Sequence, residues 1–358
     1  MDYLGRQQKT LELMRREKVD ALLVTHLPNV CYLCGFTGSA AVLAIAGRRI
    51  ALFTDGRYTA QAREETRGAK VVIAKGPALT AAAKWLEKSR PKVVGVEAEH
   101  LTLSLSSALK KLLPPKARLR ETRGLVERFR IIKEPGEVER IRAAVVLGAS
   151  LLDAALKVLK PGIAETRVAA EIEYAARQAG AAGMSFDTIV ASGPRSALPH
   201  GRASDAAVPR NGFVVMDFGV ILAGYCSDMT RTVHVGRMPR QQRQMYEAVR
   251  EAQQAGIDAV RAGVDVGRVD AAARKVLARA GLGKYFTHST GHGLGLEIHE
   301  LPRVARGVAD VLEAGTVITI EPGVYVPGVG GVRIEDVVVV TEGGCEVLTP
   351  ASKELVVL

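Results

Sequence analysis

Four carboxylates and one histidine stand in segments whose other residues are mostly apolar or glycine, and no other feature restricts this chain as much. The segments are Val214-Val215-Met216-Asp217-Phe218-Gly219, Cys226-Ser227-Asp228-Met229-Thr230, Gly291-His292-Gly293, Ile318-Thr319-Ile320-Glu321-Pro322-Gly323 and Val332-Arg333-Ile334-Glu335-Asp336-Val337-Val338. A lone ionised carboxylate in an apolar strand costs several kcal/mol or is driven to take up a proton. Taken singly, Asp217 is explained equally well as a strand-end residue in a surface turn. All five together call for compensating charge, and two divalent cations carry as much positive charge as four carboxylates carry negative. Oxygen ligands with one imidazole suit a pair of hard or borderline ions (manganese, cobalt, iron or zinc), not a structural zinc site. Metal-activated hydrolysis is the chemistry such a pair supports.

The remaining features set the frame. A chain of 358 residues favours two domains. The formal net charge is +11, but the basic residues are scattered. The densest stretch, residues 110–133, lacks interleaved stacking aromatics apart from Phe129, so the charge is not read as a nucleic-acid surface. Cys31, Cys34, Cys226 and Cys345 are too few for a disulfide scaffold. Cys31 and Cys34 form a CxxC with no second pair, in a segment read as strand or core, and are expected to be buried, inert thiols. No run of about 20 apolar residues predicts a membrane span, and the N-terminus shows no signal-peptide pattern. The cytoplasm is the expected compartment.

Alternating strand and helix patterns up to about residue 113 indicate an α/β sheet domain. A connector is expected over residues 125–135, and the domains are placed at 1–124 and 125–358. Pro135 opens a long helix reaching about residue 159, followed by a second helix over 166–179 and strands near 188–190, 213–218, 224–228 and 231–235. The order then recurs, with helices over 241–261 and 269–280 and strands over 317–321 and 332–341. Two helices followed by strands, twice, indicates an internal duplication. The five candidate ligands come from both halves, and a pocket between halves is a common arrangement.

Within that frame Ala223-Gly224 permits a tight turn, so a hairpin can set Asp217 and Asp228 side by side. Pro322-Gly323 stops the strand that ends at Glu321. Arg333 and Glu335, two apart, are expected on one face of one strand, where the arginine can orient an acid. Asp336 is expected on the other face as a solvent or turn contact. Of the seven histidines, His200, His288, His292 and His299 bear on the site, while His26, His100 and His234 have no such context. His299 is also explained as a hydrogen-bonded structural histidine. The glycines around His292 allow close backbone approach, but the segment lacks the lysine and the strand-turn-helix frame of a phosphate or dinucleotide loop.

These motifs resemble those of the pita-bread metallopeptidases: Xaa-Pro dipeptidases (prolidases), Xaa-Pro aminopeptidases and methionine aminopeptidases. The matching segments are Met216-Asp217-Phe218-Gly219, Ser227-Asp228-Met229-Thr230-Arg231-Thr232, Gly291-His292-Gly293-Leu294-Gly295-Leu296, His299-Glu300, Ile320-Glu321-Pro322-Gly323 and Gly331-Val332-Arg333-Ile334-Glu335-Asp336. Residues 29–38 and Thr54-Asp55-Gly56-Arg57-Tyr58 resemble the N-terminal domain of the two proline-directed groups, which methionine aminopeptidases usually lack. The resemblance implies an α/β N-terminal domain and an α+β pita-bread catalytic domain with internal pseudo-two-fold duplication. It implies that Asp217 binds one metal alone, Asp228 and Glu335 bridge both, and His292 and Glu321 bind the second. The resemblance also implies a hydroxide held by the ions as nucleophile, Glu321 as proton carrier, His200 and His299 as contacts to the substrate and oxyanion, His288 lining the pocket and Arg333 among the substrate-contacting residues.

Arg303, in Leu301-Pro302-Arg303-Val304, resembles the arginine with which prolidases read a dipeptide's carboxylate. An ordinary surface arginine explains it equally well. The expected activity is Xaa-Pro dipeptide hydrolysis. The alternatives are an Xaa-Pro aminopeptidase acting on longer peptides and a non-catalytic peptide-binding module, which the complete ligand set disfavours. The expected partners are small peptides and a second copy of the chain in a homodimer, this last on fold analogy alone.

Overall fold

The structure is a computed structural model describing residues 1–358, and it separates into two compact units, Met1–Arg130 and Ile131–Leu358. The division falls inside the expected connector. The first unit opens with α1 (Tyr3–Arg16), β1 (Ala21–Val24), α2 (Leu27–Cys34), β2 (Ala41–Ala46) and β3 (Arg49–Thr54). It continues with α3 (Thr59–Glu65), β4 (Lys70–Ile73), α4 (Ala78–Glu87), β5 (Val93–Glu97), α5 (Leu103–Leu112), β6 (Arg118–Thr122) and α6 (Glu127–Arg130). Its strands form one six-stranded mixed sheet in the order β4-β3-β2-β1-β5-β6. Ala21, Leu23, Ala44, Phe53 and Val94 pack from the sheet against Leu79, Ala83, Leu86 and Leu109 of α4 and α5.

The Cys31 segment is helix, which corrects the strand reading. Pro28 in the first turn of α2 suits a helix start, and Gly35 (φ 83°) ends it in the left-handed conformation. Burial pushes the Cys34 thiol up to about 12, which leaves it protonated and unreactive.

The second unit carries the repeat. Its first half is α7 (Pro135–Val158), α8 (Glu165–Gln178), β7 (Gly183–Met184), β8 (Ile189–Ser192), β9 (Gly212–Phe218), β10 (Val220–Leu222), β11 (Tyr225–Cys226) and β12 (Met229–Val235). The second half is α9 (Arg240–Ala259), α10 (Val266–Arg279), β13 (Gly291–Gly293), β14 (Glu300–Val304), β15 (Val317–Ile320), β16 (Gly323–Val326), β17 (Gly330–Arg333), β18 (Asp336–Val340) and β19 (Cys345–Val347). Antiparallel β8-β9-β12 in one half corresponds to antiparallel β13-β15-β18 in the other, and each set follows two helices. α7 starts on a capping box in which Glu134 and Glu137 exchange side-chain-to-backbone bonds, with Pro135 in the first turn. The apolar stripes of α7 and α8 pack on Val214, Met216 and Val233, and those of α9 and α10 on Val324, Val332 and Ile334 and on Ile318, Ile320 and Val338. Both sets of strands are thus covered by helices and buried, which puts their polar residues at a premium.

Candidate metal centre

Local chain geometry delivers each ligand. Asp217 lies on β9 opposite Thr230 of β12. Between those strands β10 and β11 form the expected hairpin, turned at Ala223 (φ 50°) and Gly224 (φ 83°). Asp228 sits immediately before β12. A Cβ on Gly219 would lie 1.8 Å from the Ser227 carbonyl oxygen, so only glycine lets the two acid-bearing segments approach. A Cβ on Gly291 would lie 1.9 Å from the Thr319 oxygen, and the same freedom brings β13, with His292, against β15. Glu321 follows β15, and its N–H donates to the Thr290 carbonyl at 2.7 Å.

The side chains converge. Asp228, His292 and Glu335 present ligand atoms within 4.8 Å of one another. His292 Nε2 is 3.5 Å from Asp228 Oδ2 and 3.5 Å from Glu321 Oε1. His292 Nδ1 faces the Gly293 carbonyl at 2.9 Å. A carbonyl only accepts, so the proton sits on Nδ1 and the Nε2 lone pair faces the acids, as a metal ligand requires. Thr319 Oγ1 accepts from the His292 N–H at 3.1 Å and donates to Glu321 Oε1 at 3.3 Å. Thr230 Oγ1 donates to Glu335 Oε2 at 2.7 Å and accepts from Arg333 Nε at 3.0 Å. The Arg333 guanidinium also bonds Asp217 Oδ2, the Tyr325 hydroxyl at 2.6 Å and the Pro199 carbonyl at 3.0 Å.

The electrostatics show what the cluster lacks from the protein alone. Burial raises the Asp228 carboxyl well above its ordinary range, and the charges of Asp217 and Glu321 add to the shift. Burial likewise raises Glu335 well above its range, with Asp228, Glu321 and Asp217 adding. Glu321 is raised by burial and, more weakly, by Asp217, against the opposing pull of His292 and Arg333. Asp217 Oδ1, Asp228 Oδ1 and Glu335 Oε1 are buried without a hydrogen-bond donor. An unsatisfied buried acceptor costs about 1–3 kcal/mol, more when charged. Three such oxygens in one cluster, beside an imidazole lone pair, fit divalent cations, since no protein donor reaches them.

Three further histidines, His200, His288 and His299, lie near this centre. The His299 ring is 4.4 Å from that of His292, edge to face, and its pKa is lowered by burial and then by His292 and His200. Burial lowers His288 to about 4, keeping it neutral. Its Nδ1 bonds the Ser289 carbonyl at 2.8 Å, so Nε2 accepts from the Tyr325 hydroxyl at 3.0 Å. His200 is exposed, on the loop after the 3₁₀ turn that follows β8, and it lies close enough to His288 and His299 to lower their pKa values. Arg303 is exposed on β14 and directly opposite His292 in the ladder, hence on the same face. His234 is buried and bonds Gln242 at 2.9 Å, while His26 and His100 stack in the first unit.

Two readings are corrected. Arg333 and Glu335 are not on one strand: β17 ends at Arg333 and β18 begins at Asp336, with Ile334-Glu335 as the break between them. Their common partner Thr230 joins them instead. Asp336 does point away from the centre but is 1% exposed, where it pairs with Arg231 at 2.7 Å and Lys353 at 3.1 Å. Arg231 also donates to the Glu335 carbonyl at 2.6 Å and so fixes the backbone of a ligand. Thr230, Thr319, Tyr325 and Arg231 support the cluster without a clear mark in the sequence; only Thr319, a polar residue two before Glu321 in an otherwise apolar strand, carries a signal.

Family comparisons agree with this geometry. Residues 139–342 match the metallopeptidase family M24 model and residues 6–132 the creatinase/prolidase N-terminal domain model. A Bacillus subtilis protein described as an uncharacterized peptidase is 40% identical, over 98% of this chain and 99% of its own. The Xaa-Pro dipeptidase of Pyrococcus horikoshii is 37% identical, over 99% and 100%. Among solved structures, an Xaa-Pro dipeptidase from Bacillus anthracis matches with a TM-score of 0.97 at 39% identity, over 99% of this chain and 100% of that one. An X-Pro aminopeptidase from Thermotoga maritima matches with a TM-score of 0.89 at 35% identity, over 97% and 100%. With its pita-bread second unit and a creatinase/prolidase-type first unit, the chain belongs to metallopeptidase family M24.

Proposed function

We propose that this protein hydrolyses the peptide bond preceding proline in Xaa-Pro dipeptides. The observation that carries the reading is the buried cluster of Asp217, Asp228, His292, Glu321 and Glu335, with three carboxylate oxygens that no protein donor satisfies. Full-length similarity to Xaa-Pro dipeptidases supports the substrate. Asp217, Asp228, His292, Glu321 and Glu335 would hold the divalent cations through the carboxylate oxygens and the imidazole Nε2, with Arg333 engaging the other oxygen of Asp217. The cations (manganese, cobalt, iron or zinc) supply Lewis-acid polarisation and bring the pKa of water at the site towards neutrality.

The remaining work falls to the protein. Glu321 accepts the nucleophile's proton and passes it to the departing proline nitrogen, which has no hydrogen of its own. His200 and His299 turn N–H donors towards the substrate and its developing oxyanion. His288 lines the pocket as a neutral group. Arg333 gives most of its donors to protein groups, so we assign it to holding Asp217 and Tyr325 more than to direct substrate contact. Arg303, exposed on the His292 face, pairs with the dipeptide carboxylate.

The Thermotoga maritima likeness favours a second reading, an Xaa-Pro aminopeptidase. Assay of the metal-loaded protein on Xaa-Pro and Xaa-Pro-Yaa peptides decides, because Arg303→Ala selectively impairs the dipeptide if the first reading holds. Cleavage of the longer peptide alone, or equal losses on both, rejects it. The proposal extends, on fold analogy, to a homodimer in the cytoplasm. No helix is long and apolar enough to cross a membrane, and light scattering tests the dimer.

A further inference from the structure

Glu165 opens α8, is 0% exposed, and makes no contact with the metal cluster. Its position is costly: it lies on the helix's buried stripe with Val168, Ala169 and Ile172, where an apolar residue packs at no electrostatic expense. The carboxylate collects five donors instead. Oε1 accepts from the Ser192 N–H at 2.8 Å and hydroxyl at 2.9 Å, and Oε2 from the Ser204 N–H at 3.2 Å and hydroxyl at 2.8 Å. Arg195 Nε donates to Oε2 at 3.0 Å and supplies the compensating charge. Ser192 ends β8 and Ser204 lies beyond His200, so one side chain ties both ends of the segment 193–203.

Other ties also bear on that segment: Arg202 bridges to Ile189 of β8 and pairs with Asp187 at 3.0 Å, and Arg195 donates to the Arg202 carbonyl at 2.8 Å. Ser196 Oγ accepts from the Gly331 N–H at 2.8 Å, and the Pro199 carbonyl accepts from Arg333 at 3.0 Å. His200 itself is exposed. The other half repeats the device. Asp270 on α10, 1% exposed, accepts from Thr290 Oγ1 at 2.8 Å and Arg274 Nε at 2.7 Å, and Arg274 bonds the His288 carbonyl.

We infer that Glu165 is a positioning residue that clasps the 193–203 loop and so presents His200 to the substrate. The inference rests on the His200 role proposed above. An amide in place of the carboxylate keeps one acceptor and turns the other into a donor, so one end of the loop is released. The test uses metal-loaded wild type, Glu165→Gln, His200→Ala and the double variant, with Ser204→Ala as a milder release should Glu165→Gln fold poorly. Glu165→Gln lowers kcat/KM on an Xaa-Pro dipeptide roughly 10- to 100-fold, the scale of a catalytic contact displaced by about 1 Å. Metal content stays at the wild-type level, amide exchange in residues 192–204 accelerates, and in the His200→Ala background the substitution costs less than about 2-fold, since coupled residues are not additive. Equal losses in both backgrounds, or unchanged exchange in the loop, overturn the inference. Full activity of His200→Ala overturns the His200 assignment instead, and the exchange result still decides whether Glu165 holds the loop.

Discussion

At the scale of single residues, the centre is defined by how few hydrogen bonds its acids receive. Glu335 has one oxygen bonded to Thr230 and one unsatisfied, and its pKa is pushed up by burial and then by its neighbouring acids. Asp336, the next residue, is equally buried but fully partnered by Arg231, Lys353 and Gln253. Adjacent acids at the same depth thus have opposite electrostatic solutions, and only the unsatisfied one belongs to the candidate cation cluster. Glu335→Ala is expected to abolish peptide hydrolysis and to lower bound metal, read together by assay and elemental analysis. Unchanged turnover contradicts the bridging role. Thr230 tunes the same group, and Thr230→Val is expected to cost about 10- to 100-fold in activity or metal affinity, the range for partners that orient ligands.

At the scale of elements, the strands of the second unit act as a frame whose breaks carry the chemistry. Asp228, Glu321 and Glu335 all stand just outside a strand, at the start of β12, the end of β15 and the gap between β17 and β18. Arg231, within β12, fastens that gap from behind through the Glu335 carbonyl and Asp336. Arg231→Met leaves Asp336 short of a partner, and breaking a buried pair typically costs 3–5 kcal/mol, so about 3 kcal/mol of stability is expected to be lost in denaturant unfolding. A loss below about 1 kcal/mol counts against the fastening role. Much of this frame was legible in the chain: Pro135, Pro322-Gly323 and Ala223-Gly224 mark their turns and ends. The gap at Ile334-Glu335 was not, because Val332 to Val340 reads as one continuous strand and tertiary pairing to Thr230 and Thr232 divides it. The α2 error has a similar origin, since a short apolar run does not distinguish strand from helix by period alone. The clustering of these five side chains was legible because buried charge is rare. The Glu165 and Asp270 clasps were not, because an acid in a helix normally reads as a surface residue.

At the scale of the whole molecule, stability is expected to depend on bound divalent cations. In the metal-free protein Asp228, Glu321 and Glu335 have folded-state pKa values raised above their unfolded ones. Their contribution is therefore most favourable below the ordinary carboxylate range and is lost as pH rises through the raised values. Chelated protein is expected to lose melting temperature on going from mild acid to neutral pH, and bound divalent cations remove that loss by compensating the charge. Because the ligands must be deprotonated, metal binding releases protons, most at the acid end of the window. The repeat serves this end, since Asp217 and Asp228 come from one half and His292, Glu321 and Glu335 from the other. The most direct measurement is anomalous diffraction at the metal edge from crystals of the metal-loaded protein. Two peaks are expected, about 3.5–4 Å apart, each within bonding distance of carboxylate oxygens of Asp228 and Glu335, one also reached by Asp217 and the other by His292 and Glu321. No peak in this cluster, or a single ion that leaves Asp217 or His292 unbound, contradicts the dinuclear centre.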